Sequence, residues 1–69
     1  MKDATGAGAI LRDCRKKGGV SQRDLAERSG VASTTICNIE IGNVNPRFDT
    51  LEILLNALGY KITVKSKEA

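Results

Sequence analysis

The chain has 69 residues, enough for one small domain, and its 11 basic and 8 acidic side chains give a net charge of +3. Hydrophobic residues make up 41% of it, too many for a disordered tail and too few for a membrane protein, which excludes both classes. It has no His and only two Cys without a CxxC spacing, so we expect no metal site, no cofactor and no enzyme activity.

The sequence predicts one folded domain between two short terminal segments. We expect residues 1–7 to be a mobile arm, residues 8–59 to fold as the domain and residues 60–69 to form a C-terminal strand. No apolar stretch approaches the roughly 20 residues of a membrane span, and the N-terminus has no signal-peptide core. The predicted location is therefore cytoplasmic, with no membrane partner. In that compartment Cys14 and Cys37 are predicted to be buried thiols, with one disulfide as the alternative.

The first predicted helix covers about residues 7–17. Apolar residues recur at helical spacing from Ile10 to Cys14, and Gly18 follows a basic last turn, which is a typical helix end. The basic run from Arg12 to Lys17 has two interpretations, a phosphate-binding patch or a solvated helix end, and the sequence leaves both open.

The second and third predicted helices are short and follow each other closely. The second begins after Ser21, whose hydroxyl can cap it, and ends at Gly30 after about two turns. The third runs from about 32 or 33 to 40 or 41, with Ile36 and Ile39 on its inner side. Two helices joined by a tight turn that contains Gly predict a helix-turn-helix.

The fourth predicted helix runs from about Arg47 to Leu58, after a loop that contains Pro46. Asp49 lies in its first turn, where a negative charge favours the helix dipole. Its inner stripe is expected to consist of Phe48, Leu51, Leu54 or Leu55, and Leu58.

The last segment changes from helical spacing to alternation. Tyr60, Ile62 and Val64 alternate with polar residues, which is the pattern of a strand with one apolar face. Because the chain offers no second strand, we expect these three residues to form a dimer by pairing with the same segment of a second copy. A frayed tail is the alternative.

The motifs together resemble one known family. They are Leu11-Arg12, Arg15, Gly19 to Val31, Thr35 to Glu40, Gly42, Asn45-Pro46, Thr50-Leu51 and Ala57-Leu58-Gly59. On these residues the chain resembles the phage repressor and Cro-like (XRE) family of helix-turn-helix DNA-binding proteins, over about residues 11–59. The resemblance implies an all-α fold, a small four-helix lambda-repressor-like domain, to which the C-terminal strand is added.

The resemblance also implies roles for individual residues. Those expected to read base edges are Ser33, Thr34 and Asn38. Those expected to contact the DNA phosphate chain are Ser21, Gln22, Thr35, Asn43 and Asn45. Arg15 and Glu40 match a pair that is usually an internal, structural ion pair. Asn43 and Asn45 match a loop that usually offers backbone N–H groups.

Two departures from the family pattern matter. Ala32 stands where the family often has a capping Ser or Thr, so Ser33 either caps the third helix or reads bases. A strand replaces the common fifth helix, which resembles HipB-like antitoxins.

The expected function is a sequence-specific, dimeric regulator of transcription, a repressor that binds double-stranded DNA at a near-palindromic operator. The alternative is an antitoxin subunit that binds a toxin protein and represses its own operon. A third interpretation, a helical domain that binds other proteins, predicts no salt-dependent affinity for DNA.

Overall fold

Four helices form the described part of the chain: α1 (Ala7–Lys17), α2 (Gln22–Ser29), α3 (Ser33–Glu40) and α4 (Phe48–Ala57). The computed structural model describes residues 6–62. Within that range every element is a helix, so the predicted all-α fold is confirmed. Both α1 and α2 pack against α3 and against α4.

The ends of the two central helices follow from local side-chain and backbone chemistry. The Ser21 hydroxyl accepts a hydrogen bond from the Asp24 backbone N–H at 3.0 Å, and α2 begins at the next residue. Ala32 is the N-cap of α3 and has no side chain to accept such a bond, and Ser33 is already inside the helix. The suggestion that Ser33 caps α3 is therefore wrong, and its hydroxyl is not used at the cap.

Seven buried apolar side chains form the core, and every helix contributes at least one. They are Leu11, Val20, Leu25, Ile36, Ile39, Leu54 and Leu55. Fully burying a Leu or Ile side chain stabilises a fold by about 1.5–3 kcal/mol. A core of this size therefore suits a domain whose net stability is small.

The predicted inner stripe of α4 is correct except at its start. Leu54 and Leu55 are buried and Leu51 packs against the core, but the Phe48 side chain is 57% exposed. Phe48 is the first residue of α4, about two turns before the buried leucines, and the core does not extend to this end of the helix. The periodic spacing identified the face but not the length of helix that is covered.

Both cysteines are free and partly buried, and Cys14 packs against the core. The predicted arm lies mostly outside the described residues, since α1 begins at Ala7 after Gly6. Most of the predicted C-terminal strand, including Val64, also lies outside them.

Two of the residues expected in that strand are described. Tyr60 and Ile62 have no regular secondary structure. The Tyr60 backbone N–H donates to the Leu55 carbonyl at 2.8 Å, while the side chain is 42% exposed. Ile62 instead packs against the core of its own chain. The two side chains therefore have different surroundings.

Candidate nucleic-acid interface

A tight turn fixes α3 against α2. Gly30 has φ +79°, a left-handed conformation that favours glycine, and its N–H donates to the Ala26 carbonyl at 2.9 Å. The Ser29 hydroxyl accepts from the Val31 N–H at 3.1 Å, which closes the turn. Ile36 is fully buried beneath it. The geometry is that of the predicted helix-turn-helix.

The outer face of α3 is polar and uncharged. Ser33, Thr34 and Thr35 are exposed and Asn38 is partly buried, while Ile36 on the opposite side is in the core. Residues three or four apart share one helix face, so Thr34 and Asn38 lie on the same side. The structure thus brings the three expected base-reading residues onto the accessible part of one helix.

Asn38 also organises the loop that follows α3. Its backbone carbonyl oxygen accepts a hydrogen bond from the backbone N–H of Asn43 at 2.9 Å and another from that of Val44 at 3.3 Å. The Asn43 side-chain amide makes a longer contact, 3.5 Å, with the Asn38 side-chain oxygen. The Asn43 N–H is thus already used inside the loop. A phosphate contact by Asn43 would therefore use its exposed side chain, and Asn45 is exposed as well.

A polar cluster joins α1, α3 and the start of α2. Arg15 Nε donates to Glu40 Oε2 at 2.7 Å, and Arg15 Nη2 donates to Glu40 Oε1 at 2.9 Å. Arg15 Nη1 donates to the Val20 carbonyl at 2.9 Å. The Arg15 and Glu40 side chains are only 11% and 3% exposed. The ion pair expected from the resemblance is therefore bidentate and nearly buried.

The two charges shift each other's pKa. Hydrogen bonding to Glu40 is the main cause that raises the pKa of Arg15, and it outweighs the effect of burial. Burial by itself would raise the pKa of Glu40, but the hydrogen bonds from Arg15 and Gln22, together with the positive charges of Arg15 and Arg12, outweigh it, so the pKa falls below its ordinary value. Both groups are thus held in their charged forms.

Gln22 and Ser21 stand at the N-terminus of α2, where backbone N–H groups and the helix dipole favour an anion. Gln22 Nε2 donates to Glu40 Oε1 at 3.1 Å. Since a side-chain amide nitrogen carries two hydrogens, one remains for a phosphate oxygen. Ser21 accepts the capping bond and keeps its hydroxyl hydrogen for donation. Internal bonds therefore still leave both side chains a donor.

The basic run at the end of α1 does not act as one patch. Arg15 is directed inward, and Lys17 forms an exposed pair with Asp13 at 3.3 Å. Arg12 and Lys16 are exposed. The interpretation as a phosphate-binding patch is thus left to Arg12 and Lys16, while Lys17 fits a solvated helix end. The helix α3 itself carries no basic side chain.

Two features of the site had no sequence motif. The Gln22–Glu40 bond joins residues 18 positions apart. The second feature is the close approach of Gly8 in α1 to the backbone of Ile39 in α3. A glycine inside a predicted helix was the available signal, because glycine weakens a helix and often marks a close contact.

A cavity of about 210 Å³ lies between the start of α1 and the loop after α3, lined in part by Gly8, Glu40 and Asn45. Among residues 6–62, no three His, Cys, Asp or Glu side chains are grouped to hold a metal ion. None of the helices in that range is long and apolar enough to cross a bilayer.

Comparison with known proteins gives one family and several relatives. Residues 11–65 match the family described as helix-turn-helix. The HTH-type transcriptional regulator PuuR of Escherichia coli strain K12 is 38% identical over 56 residues, which are 81% of this chain and 30% of that protein. No solved structure matches the chain.

Two further relatives are named uncharacterized HTH-type transcriptional regulators. The one from Haemophilus influenzae is 40% identical over 50 residues, or 72% of this chain and 51% of its own length. The one from Methanothermobacter thermautotrophicus is 38% identical over 50 residues, or 72% of both chains. The chain therefore spans less than a third of the Escherichia coli relative and about half of the one from Haemophilus influenzae.

Proposed function

Because this chain belongs to the helix-turn-helix family, we propose that it is a transcriptional regulator that binds double-stranded DNA with α3 in the major groove. The observation that carries the proposal is the exposed polar face of α3, held outward by the Gly30 turn and by buried Ile36. The proposed activity is binding rather than catalysis, on cytoplasmic DNA.

The chemistry of that face indicates which bases it reads. An Asn side chain can pair with adenine through two hydrogen bonds, and a Thr methyl can contact the thymine methyl. Asn38 and Thr34 therefore favour A·T pairs, and Ser33 can bond to either kind. Since α3 has no Arg or Lys, strong reading of guanine by α3 is not expected. The proposal thus predicts an A·T-containing recognition core.

Phosphate contacts come from the edges of the same surface. Gln22 and Ser21 supply donors at the start of α2, and Thr35 supplies an exposed hydroxyl on α3. The side chains of Asn43 and Asn45 extend the contact beyond α3. Such contacts fix the register of the protein on DNA and add affinity for every sequence alike.

The test starts with selection of bound fragments from random DNA, followed by titration of the selected operator and a scrambled copy at fixed salt. Asn38→Ala should lower operator affinity by about 1–3 kcal/mol and leave the scrambled affinity unchanged. Gln22→Ala should weaken both. Asn56→Ala, which removes an exposed Asn from α4, is the matched control and should change neither.

Two results would contradict this proposal. One is a wild-type protein that selects no common sequence. The other is an Asn38→Ala variant whose preference for the operator over scrambled DNA equals that of the wild type.

The finer proposal is a homodimer that represses from a near-palindromic operator, paired through Tyr60, Ile62 and Val64. A two-fold axis would set two α3 helices about 34 Å apart, one turn of DNA. A chain ending at Gly59 lacks all three residues, and circular dichroism checks that it is folded, because Ile62 contacts the core of its own chain. In sedimentation it should be monomeric where the intact chain is dimeric, and it should bind half-sites only.

An unchanged dimer in that truncated chain would separate dimerisation from the segment. The alternative function, an antitoxin, differs in a single observable. An antitoxin co-purifies with a toxin protein from its source organism, whereas an independent regulator does not.

A further inference from the structure

Gly8 in α1 lies close against the backbone of the proposed recognition helix α3. A Cβ atom built on Gly8 would overlap the carbonyl oxygen of Ile39. It would also lie 3.1 Å from the Ile39 carbonyl carbon and 3.2 Å from the Glu40 Cα. All three are backbone atoms, so none can move aside by rotating a side chain. Any other residue at position 8 must therefore shift one helix relative to the other.

Glycine at this position has no local explanation. It lies in the first turn of α1. Alanine there would strengthen the helix, since glycine loses more backbone entropy than any other residue on folding. The close contact with α3 is the feature that requires glycine.

The last turn of α3 is held by α1 at a second point. Arg15 forms the bidentate ion pair with Glu40. It lies seven residues after Gly8 and thus about two helical turns away. The Gly8 contact limits how closely α1 and α3 approach, and the Arg15 bond holds them together. Asn38, the proposed adenine reader, immediately precedes Ile39 in this turn.

We propose that Gly8 is a positioning residue for DNA recognition, which sets how far the C-terminal half of α3 and Asn38 reach into the major groove. This inference rests on the proposed DNA-binding function. A shift of α3 would misalign the hydrogen bonds of Asn38 with a base, while Ser21 and Gln22 at the start of α2 would still reach the DNA phosphate chain. The expected signature is therefore a loss of specificity rather than of all affinity.

The experiment compares Gly8→Ala with Gly18→Ala, both glycine-to-alanine changes in or beside α1. A Cβ on Gly18 would meet nothing closer than Val20 Cγ2 at 3.6 Å, an ordinary contact, and φ at Gly18 is −87°. Operator and scrambled DNA are titrated at a temperature where each variant is folded by circular dichroism. Gly8→Ala should lower the operator-to-scrambled affinity ratio by about tenfold to a hundredfold, the effect of one lost base contact.

The melting temperature provides an independent readout. If only helix propensity mattered, Gly8→Ala would raise it, whereas the close contact predicts that it falls. Both variants are also made with Ala32→Ser, which adds a cap to α3 at its far end, so that a destabilised Gly8→Ala protein can still be titrated folded.

The outcomes are distinguishable. If the wild-type protein prefers no sequence, the proposed function itself fails. If the wild type prefers its operator and Gly8→Ala keeps the same ratio, the positioning role is overturned. A Gly8→Ala protein unfolded in both backgrounds would assign Gly8 to folding alone and overturn it equally, and a ratio lowered as much by Gly18→Ala would do the same.

Discussion

Arg15 on α1 and Glu40 at the end of α3, 25 positions apart, form two parallel hydrogen bonds of 2.7 and 2.9 Å. Arg15 also donates to the Val20 carbonyl just before α2, and Gln22 at the start of α2 donates to Glu40. One nearly buried ion pair thus connects three helices. A buried pair is not necessarily more stable than an apolar substitute, but breaking it leaves an uncompensated charge.

Arg15→Met should therefore destabilise the fold by about 3–5 kcal/mol in urea titrations, a large part of the stability of a small domain. The double variant Arg15→Met/Glu40→Leu should recover much of the loss, because no charge then remains buried. Lys17→Met, which breaks the exposed pair with Asp13, is the control and should change little. A double variant as unstable as the single one would attribute the loss to packing instead of charge.

The lowered pKa of Glu40 predicts how this contribution depends on pH. The unfolded chain, with the higher carboxyl pKa, takes up the proton first as pH falls, so acid favours unfolding. The contribution of Glu40 should be constant at pH values well above the ordinary glutamate pKa and should shrink as pH falls through and below that pKa. Measured by urea titration, the stability difference between the wild type and Glu40→Gln should shrink in the same interval. A difference that does not change with pH would rule out this linkage.

The turn between α2 and α3 depends on the backbone conformation of Gly30. With φ at +79° and no heavy atom within 4 Å of a Cβ built there, alanine would meet strain but no clash. Gly30→Ala should cost about 1–2 kcal/mol in stability, and Gly30→Asn less, because Asn tolerates the left-handed region better. Gly18→Ala, with φ −87°, is the control and should show no such cost. Equal losses at the two glycines would show that the sign of φ is not the cause.

The fold was predictable where a signal acts over a few residues. Ser21 caps a helix that begins at the next position, and Gly30 ends it with a left-handed conformation. The spacing of Ile36 and Ile39 on α3 identified its inner side, since both are buried. Each of these features depends on neighbours in the chain, and so the amino-acid pattern carries it.

Features that depend on packing between distant segments could not be predicted in the same way. Phe48 continues the apolar spacing of α4, but its side chain is 57% exposed. The Asn43 N–H is used by the Asn38 carbonyl, which follows from the path of the loop and not from the side chains. The contact of Gly8 with Ile39 depends on where two helices cross. The base and phosphate contacts of the predicted residues depend on the DNA as well as on this chain, so the amino-acid pattern alone does not carry them.

The N-cap of α3 offers a test of whether local signals in this chain are optimal. Ala32 occupies the cap with extended backbone angles, φ −60° and ψ 141°, and provides no acceptor, whereas Ser21 with φ −77° and ψ 164° caps α2. Because the two backbones are alike, a serine at position 32 should accept from the N–H of Thr35, as Ser21 accepts from that of Asp24.

Ala32→Ser should therefore stabilise the fold by about 0.5–2 kcal/mol, and Ser21→Ala should destabilise it by a similar amount. Urea titration of both single variants and of the double variant measures the two effects. The caps lie on different helices, so their contributions should add to within about 0.5 kcal/mol. A loss from Ser21→Ala without a gain from Ala32→Ser would show that the missing cap does not limit the stability of α3. The close contact of the far end of α3 with Gly8 would then be the stronger constraint on that helix.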